Sequence, residues 1–247
     1  MRIVLGLAAF IAGCGPTYID ATGLAPTTLG TGLVAHWTFD DMDGSVLLDD
    51  SGNRRDGTVS GATFRADGRF GGALHFVPGD SVTVGNFPYA TSSWTFSGWV
   101  HIGDEDSVTD DFGTLVSTET MQQDGGWEFQ TRGRSAGIYW TFAYWLGPGR
   151  GYAHYDCQCF ELGRWSHATV VVDGARSRLS FYVDGQLADT NALPGAISPG
   201  TSDLLMGKWD GPARLFSGAI DDVAIYNRAL SAAEVAELDA RPAPRPR

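Results

Sequence analysis

The 247-residue chain predicts an all-β fold, an antiparallel two-sheet jelly-roll sandwich closed by one short C-terminal helix. Three observations predict it. From Gly32 onward, short alternating segments recur between clusters of Gly, Pro, Asn and Asp, the pattern of strands joined by turns. No helix-period segment intervenes between them, which points to stacked antiparallel sheets. Gly at 33 residues and charged residues at only 19% suit a turn-rich β protein. The length fits one large domain, and 43% apolar with 12% aromatic residues can fill a two-sheet core.

The elements follow in order. Arg2 precedes an apolar run over residues 3–11 that is too short for a permanent membrane span. It ends in Ile11-Ala12-Gly13-Cys14, which resembles a bacterial lipobox. That resemblance implies a lipoprotein signal peptide over residues 1–13 and lipidation of Cys14. An ordinary secretory signal with an incidental Cys and a misplaced start site are the other readings. Gly15 stands where such lipoproteins often carry an Asp for inner-membrane retention, so the resemblance implies the outer membrane. Residues 14–31 then form a Thr-, Gly- and Pro-rich tether, and the folded domain covers 32–240.

Within it, residues 33–39 alternate with Leu33, Ala35, Trp37 and Phe39 on one side. Strands are expected at 72–77 and 81–84, and at 95–102, where Phe96, Gly98, Val100 and Ile102 oppose Thr95, Ser97, Trp99 and His101. Others fall at 113–118, 127–132, 138–146 and 152–157, then at 167–172, 178–183, 186–190, 204–208 and 215–226. Asp173-Gly174 and Asp184-Gly185 each carry hairpin-turn chemistry. Ser231 and Glu234 form a capping box, flanked by Leu230 and Val235 at staple positions, so a helix runs to about Ala240 with Val235 and Leu238 inward. Pro242, Pro244 and Pro246 leave 241–247 as a disordered tail.

A net charge of −12 excludes nucleic-acid binding through a general positive field. It is compatible with neutral glycans, basic partners or divalent cations. Cys157 and Cys159 leave a local disulfide across a tight turn or two free thiols, ahead of a metal site, for which no further Cys or nearby His pair completes a ligand set. In a straight strand, residues two apart sit too far from each other to bridge.

Six blocks resemble laminin-G-like jelly rolls of the concanavalin A-like lectin/glucanase superfamily, in the expected order. They are GLVAHWTFD (32–40), DSGNRRDG (50–57), GGALHF (71–76), WTFSGWV (94–100), WSHATVVVDG to LSFYVDG (165–185) and the closing GAIDDVAIYNRALSAAE (218–234). The span 103–160 matches poorly. Phe76-Val77-Pro78-Gly79 departs from the family's Phe-Asp-Gly and leaves only Asp80. The same sandwich carries lectins, adhesion modules and glycosidases, so the resemblance implies fold more than function.

The resemblance also implies a structural Ca²⁺ at Asp40, Asp221 and Asp222, because hard oxygens from several loop ends suit that ion. Asp41, Asp43, Asp49 and Asp50 lie near in sequence. Adjacent Asp221 and Asp222 face opposite sides of a regular strand, and turn amides or solvent are the other partners open to these carboxylates. The run from Ile138 to Trp145 puts Ile138, Trp140, Phe142 and Tyr144 on a core face, with Tyr139, Thr141, Ala143 and Trp145 opposite. Trp145, Tyr152, His154, Tyr155 and Asp156 are the candidate glycan-binding set; core packing is the alternative for the aromatics. No Glu-x-Asp-x-(x)-Glu pattern occurs, and Glu119 and Glu128 stand alone, which argues against a glycoside hydrolase. His36, His101 and His167 read as packing or surface residues. The expected function is a noncatalytic, cell-envelope binding module for carbohydrate or glycoconjugate, with an extracellular protein as the alternative partner, a divergent glycoside hydrolase as the third reading, and membrane contact through the lipid only.

Overall fold

The computed structural model describes residues 28–40, 42–87, 92–103, 112–119, 125–134, 137–146, 152–159, 161–198 and 203–240, with the backbone alone at 43, 134, 137, 138 and 152–155. Contacts divide the chain into two units, Met1–Thr31 and Gly32–Arg247. The leader and Cys14 lie outside the described residues, as does the 241–247 tail.

In chain order the second unit opens with β1 (Leu33–Trp37), a small hairpin of β2 (Met42–Asp43) and β3 (Val46–Leu47), and β4 (Gly57–Ser60). Next come β5 (Thr63–Gly68), β6 (Gly71–Phe76), β7 (Ser81–Val84) and β8 (Ser93–His101). The middle holds β9 (Phe112–Ser117), β10 (Trp127–Arg134), β11 (Gly137–Trp145) and β12 (Tyr152–Cys157). The chain closes through β13 (Trp165–Asp173), β14 (Arg178–Val183), β15 (Gln186–Ala192), β16 (Leu204–Met206), β17 (Gly218–Tyr226) and helix α1 (Ala232–Asp239). The first sheet runs β15-β14-β13-β8-β17-β6-β5, with β1 beside β17; the second runs β12-β11-β10-β9-β16-β7-β4-β3-β2. Neighbours in sequence repeatedly change sheet, which is the jelly-roll path. The fold class is the one the alternation predicts.

Side chains from the inner faces fill the space between the sheets. Phe96, Val100, Val170 and Ile225 come from the first sheet, and Trp127, Phe129, Trp140 and Phe142 from the second. Trp94 stacks on Trp127 at 4.5 Å between centroids, and Phe129 on Trp140 at 4.9 Å. Burying each such side chain contributes about 1.5–3 kcal/mol. Phe129→Ala would therefore cost about 3–5 kcal/mol, since the stacked rings cannot collapse into the gap.

The turns separate the two Asp-Gly pairs. Asp184 and Gly185 both take positive φ, 49° and 71°, and Val183 pairs with Gln186. That is the two-residue type I′ hairpin, whose backbone twist matches its strands. Asp173 instead caps a short 3₁₀ turn over Gly174–Arg176, its carboxylate accepting the Arg176 N–H at 3.1 Å. Helix α1 starts as expected: Ser231 Oγ accepts the Glu234 N–H, and Glu234 Oε2 accepts the Ser231 N–H at 2.8 Å. Val235 and Leu238 are buried.

Four strands, β2 to β5, have no counterpart in the sequence reading. β2 and β3 are two residues each, and β5 is exposed along nearly its whole length, so no apolar alternation marks it. β17 starts at Gly218, three residues later than expected, because Phe216 donates its N–H to Gly207 O at 2.9 Å outside any ladder.

Candidate functional site

Two carboxylate clusters, one half-buried and one fully buried, and one polar sheet face carry the chemistry. The first cluster forms where β17 is irregular. A bulge lies between Asp221 and Ala224, and Asp222 sits at φ 46°. The bulge breaks strict alternation and diverts Asp222 to the edge strand, where Asp222 Oδ1 lies 2.6 Å from His36 Nε2. Asp221 stays on the outer face of its sheet, fully buried, and accepts the Phe70 N–H on Oδ2 at 2.9 Å. Asp40 Oδ1 accepts the Gly72 N–H at 2.7 Å. Asp40 and Asp221 thus grip the same β5–β6 turn from two sides. Gly71, at φ 95°, is required there, since a Cβ would strike Asp40 Oδ1.

The structure therefore brings Asp40 and Asp221 to one turn and sends Asp222 to His36. Asp49 is committed to the N–H groups of His36 at 3.0 Å and Arg55 at 2.9 Å, and Asp50 Oδ2 accepts from Thr38 Oγ1 at 2.8 Å. Asp41 and the Asp43 side chain lie outside the described residues. Among the described residues no group of three or more His, Cys, Asp or Glu side chains is gathered closely enough to hold a metal. Yet Asp221 Oδ1 is buried with no hydrogen-bond partner. Burial, with the charges of Asp222 and Asp40 adding, pushes Asp221 up to about 7 against the hydrogen bond from Phe70.

The second cluster lies on the face of the second sheet turned away from the core. β10 alternates Trp127 and Phe129 inward with Glu128, Gln130 and Arg132 on the other side. Glu128 is fully buried; its Oε2 lies 2.6 Å from Arg214 Nη1, and it also accepts from Thr114 Oγ1. Glu119, also buried, accepts the Trp145 Nε1–H at 2.9 Å and places Oε2 3.5 Å from the same Arg214 nitrogen. Desolvation dominates at Glu128 and raises its pKa despite Arg214 and Thr114, with the Glu119 carboxyl hydrogen-bonded to it and raising it further. Arg214 lies over the Trp209 ring at 4.6 Å, and its carbonyl accepts the Thr114 N–H at 2.9 Å.

Along the same face, Thr141 Oγ1 donates to Asp156 Oδ1 at 2.7 Å, and Arg132 Nη1 lies 3.9 Å from Asp156 Oδ2. Between these groups Gln130 is fully buried, and neither its Oε1 nor its Nε2 has a partner. Trp145, Tyr139, Arg132 and Asp156 are half-buried along the edge.

Of the candidate glycan-binding set, the β11–β12 register puts Tyr152 opposite Trp145, His154 opposite Ala143 and Asp156 opposite Thr141. Tyr155 stands opposite Phe142, whose ring is in the core. The side chains of Tyr152, His154 and Tyr155 lie outside the described residues. Cys157 and Cys159 are bonded, with Cα atoms 5.3 Å apart across Gln158. The sequence leaves Glu119 and Glu128 standing alone, whereas the structure joins them through Arg214; Gln130 and Arg214 are not among the candidate residues. Alternation along β10 does mark Glu128 and Gln130, but nothing local marks Arg214, 86 residues from its partner.

A family model described as the concanavalin A-like lectin/glucanases superfamily matches residues 76–236. The chain belongs to that superfamily. Among curated proteins none matches significantly in sequence. Solved structures share the fold. Domain 4 of AbnA, a GH43 extracellular arabinanase from Geobacillus stearothermophilus, in complex with arabinotriose, is 21% identical with a TM-score of 0.65, covering 84% of this chain and 98% of that one. The binding domain of Paraclostridial Mosquitocidal Protein 1 is 19% identical at 0.65, covering 86% and 52%. The binding domain of botulinum neurotoxin serotype G is 16% identical at 0.66, covering 84% and 50%. The chain thus spans about half the length of the two toxin domains. This superfamily member shares its fold with carbohydrate- and receptor-binding domains.

Proposed function

We propose that the domain is a noncatalytic carbohydrate-binding module, and that the polar face of the second sheet is its binding surface. One observation carries this reading: Trp145, Tyr139, Arg132 and Asp156 lie half-buried along this face, ring surfaces on the same face as a guanidinium and a carboxylate. A sugar offers a ring face for an indole and hydroxyls for charged hydrogen-bonding groups. The arabinotriose complex of AbnA domain 4 adds support at the level of fold. Glu119 and Glu128 are in direct contact and share one guanidinium, whereas a glycosidase holds two carboxyls apart on either side of a bond.

Ca²⁺ assistance belongs to the same proposal. Asp40 and Asp221 would supply carboxylate oxygens, with the orphan Asp221 Oδ1 as the ligand that burial has left without a partner. Lipidation of Cys14 would tether the module to the bacterial envelope at the outer membrane; Cys14→Ser should then move the full chain from the detergent phase to the aqueous phase.

A glycan array probed with a fragment beginning at Gly32, with and without EDTA, tests the reading. Trp145→Ala and Asp156→Ala should each weaken a positive signal about tenfold or more. No glycan signal in either condition favours the second reading, a protein-binding module. That reading rests on an open cleft of about 570 Å³ lined by Asp40, Met42 and Phe64, with Phe64 45% exposed.

A further inference from the structure

The outer face of the first sheet, opposite the surface just discussed, is covered unevenly. Over one part, Phe70 packs edge-on against Trp99 at 5.4 Å, and Arg69 lies over the same indole at 4.3 Å. Trp99 in turn stacks on His167, whose Nδ1 lies 3.5 Å from Asp239 of α1. The β5–β6 turn and the helix thus close that region.

One row further along, the face stays open. The ladders place Thr63, His75, Ala219, His101 and Trp165 side by side across five strands. Side chains directly opposite in a ladder share a face, and two strand spacings separate His75 from His101 by about 9.5 Å. Between them Ala219 is short, and so is Ala73 on the same face of β6. Two tall imidazoles flanking small residues leave a dent, and the structure has one of about 140 Å³. Trp165 forms its far wall, half-buried, with its ring 5.5 Å from that of His101. Arg65 and Asp67, both exposed on β5, form the rim. Neither rim residue has an ion-pair or hydrogen-bond partner among the described residues.

We propose that this dent is a second ligand site, taking a single carboxylated sugar ring. The volume is well below the ~300–1,000 Å³ of a drug-sized pocket, so it admits one ring rather than a chain. Trp165 presents a flat apolar surface for the ring's C–H face. Arg65 offers a planar fork suited to a carboxylate, and Asp67 accepts a ring hydroxyl. The imidazoles of His75 and His101 supply further polar contacts on either side of Ala219. In a chain of net charge −12, an uncommitted guanidinium lies here beside a single carboxylate. Its planar fork favours a ring that carries a carboxylate over a neutral one.

The test titrates galacturonate into the full chain in detergent, with galactose and acetate as controls, following histidine ring resonances and tryptophan fluorescence. Galacturonate should shift the His101 ring signals, with galactose and acetate each binding at least about tenfold more weakly. Arg65→Gln, at an exposed position that cannot unfold the sheet, should weaken galacturonate about tenfold or more. Trp165→Phe should weaken it less, and Asp156→Ala should leave it unchanged. Because Asp156 lies on the other sheet, loss of the glycan reading there leaves this site intact, and the reverse holds. No galacturonate binding overturns the proposal. So does equal binding of galactose, indifference to Arg65→Gln, or loss with Asp156→Ala.

Discussion

Glu119 and Glu128 on the second sheet, and Asp40 and Asp221 around the β5–β6 turn, solve the same problem differently. Each pair takes acidic oxygens out of water. The glutamates carry their own countercharge, since Arg214 reaches both, Thr114 donates to one and Trp145 to the other. The aspartates have only backbone N–H groups, those of Phe70, Gly72 and Asp222, and no cationic side chain. A built-in cation makes the glutamate cluster a closed structural unit. Its absence makes the aspartate cluster dependent on a proton or an added cation.

The largest expected effect breaks the glutamate cluster. Arg214→Leu should cost about 3–5 kcal/mol in urea unfolding at pH 7.5, because it strands buried carboxylates. Adding Glu128→Gln to that variant should recover much of the loss; no recovery would mean the cost came from the Trp209 contact instead.

Effects of about 2–3 kcal/mol come from the aspartate cluster, beginning with the pH response of Asp221. Its folded pKa, about 7, lies above the unfolded value of 3.8. The stabilisation from protonated Asp221 is therefore fully present below pH 3.8 and lost as pH rises through 7. Glu128 shifts in the same direction and adds to the slope. Stability should fall on the order of 2 kcal/mol from pH 5 to pH 7 through Asp221 alone. Asp221→Asn should flatten the curve and raise Tm at pH 8. A wild-type curve that rises with pH over this window would contradict the assignment.

Calcium sharpens the contrast. At pH 8 a concentration of 100 times Kd should stabilise the wild type by about 2.7 kcal/mol, reversibly with EDTA, and Asp221→Asn should lose the response. Glu128→Gln should keep it. The smallest effect comes from His36→Gln, which removes the Asp222 partner. It should cost only about 0.2–1 kcal/mol, in the range of partly exposed pairs.

Much of the fold was legible because alternation is local. β7, β12 and β14 fall where residue-by-residue patterning puts them, and the Ser231–Glu234 box marks the helix start within four residues. The Asp184-Gly185 hairpin is equally local chemistry. The candidate sites were far less legible. Asp40 and Asp221 are 181 positions apart, and the β17 bulge that separates Asp221 from Asp222 leaves no mark in Gly218-Ala219-Ile220-Asp221-Asp222. Glu128 looked solitary because its partners, Thr114, Glu119 and Arg214, come from other segments. The His75–Ala219–His101–Trp165 row is invisible along the chain, since each member comes from a different strand.

Amino-acid order by itself determined the strand periods, the turn chemistry and the inward-facing rings, hence a two-layer β sandwich of known superfamily. These are properties of neighbours two to four residues apart, and they act before any long-range contact forms. Only the tertiary structure decided which carboxylates share a cation, which stands without one, and where short side chains leave a dent between taller ones. Such outcomes depend on strand register and on a bulge, and a shift of one residue in either would turn each group to the opposite face.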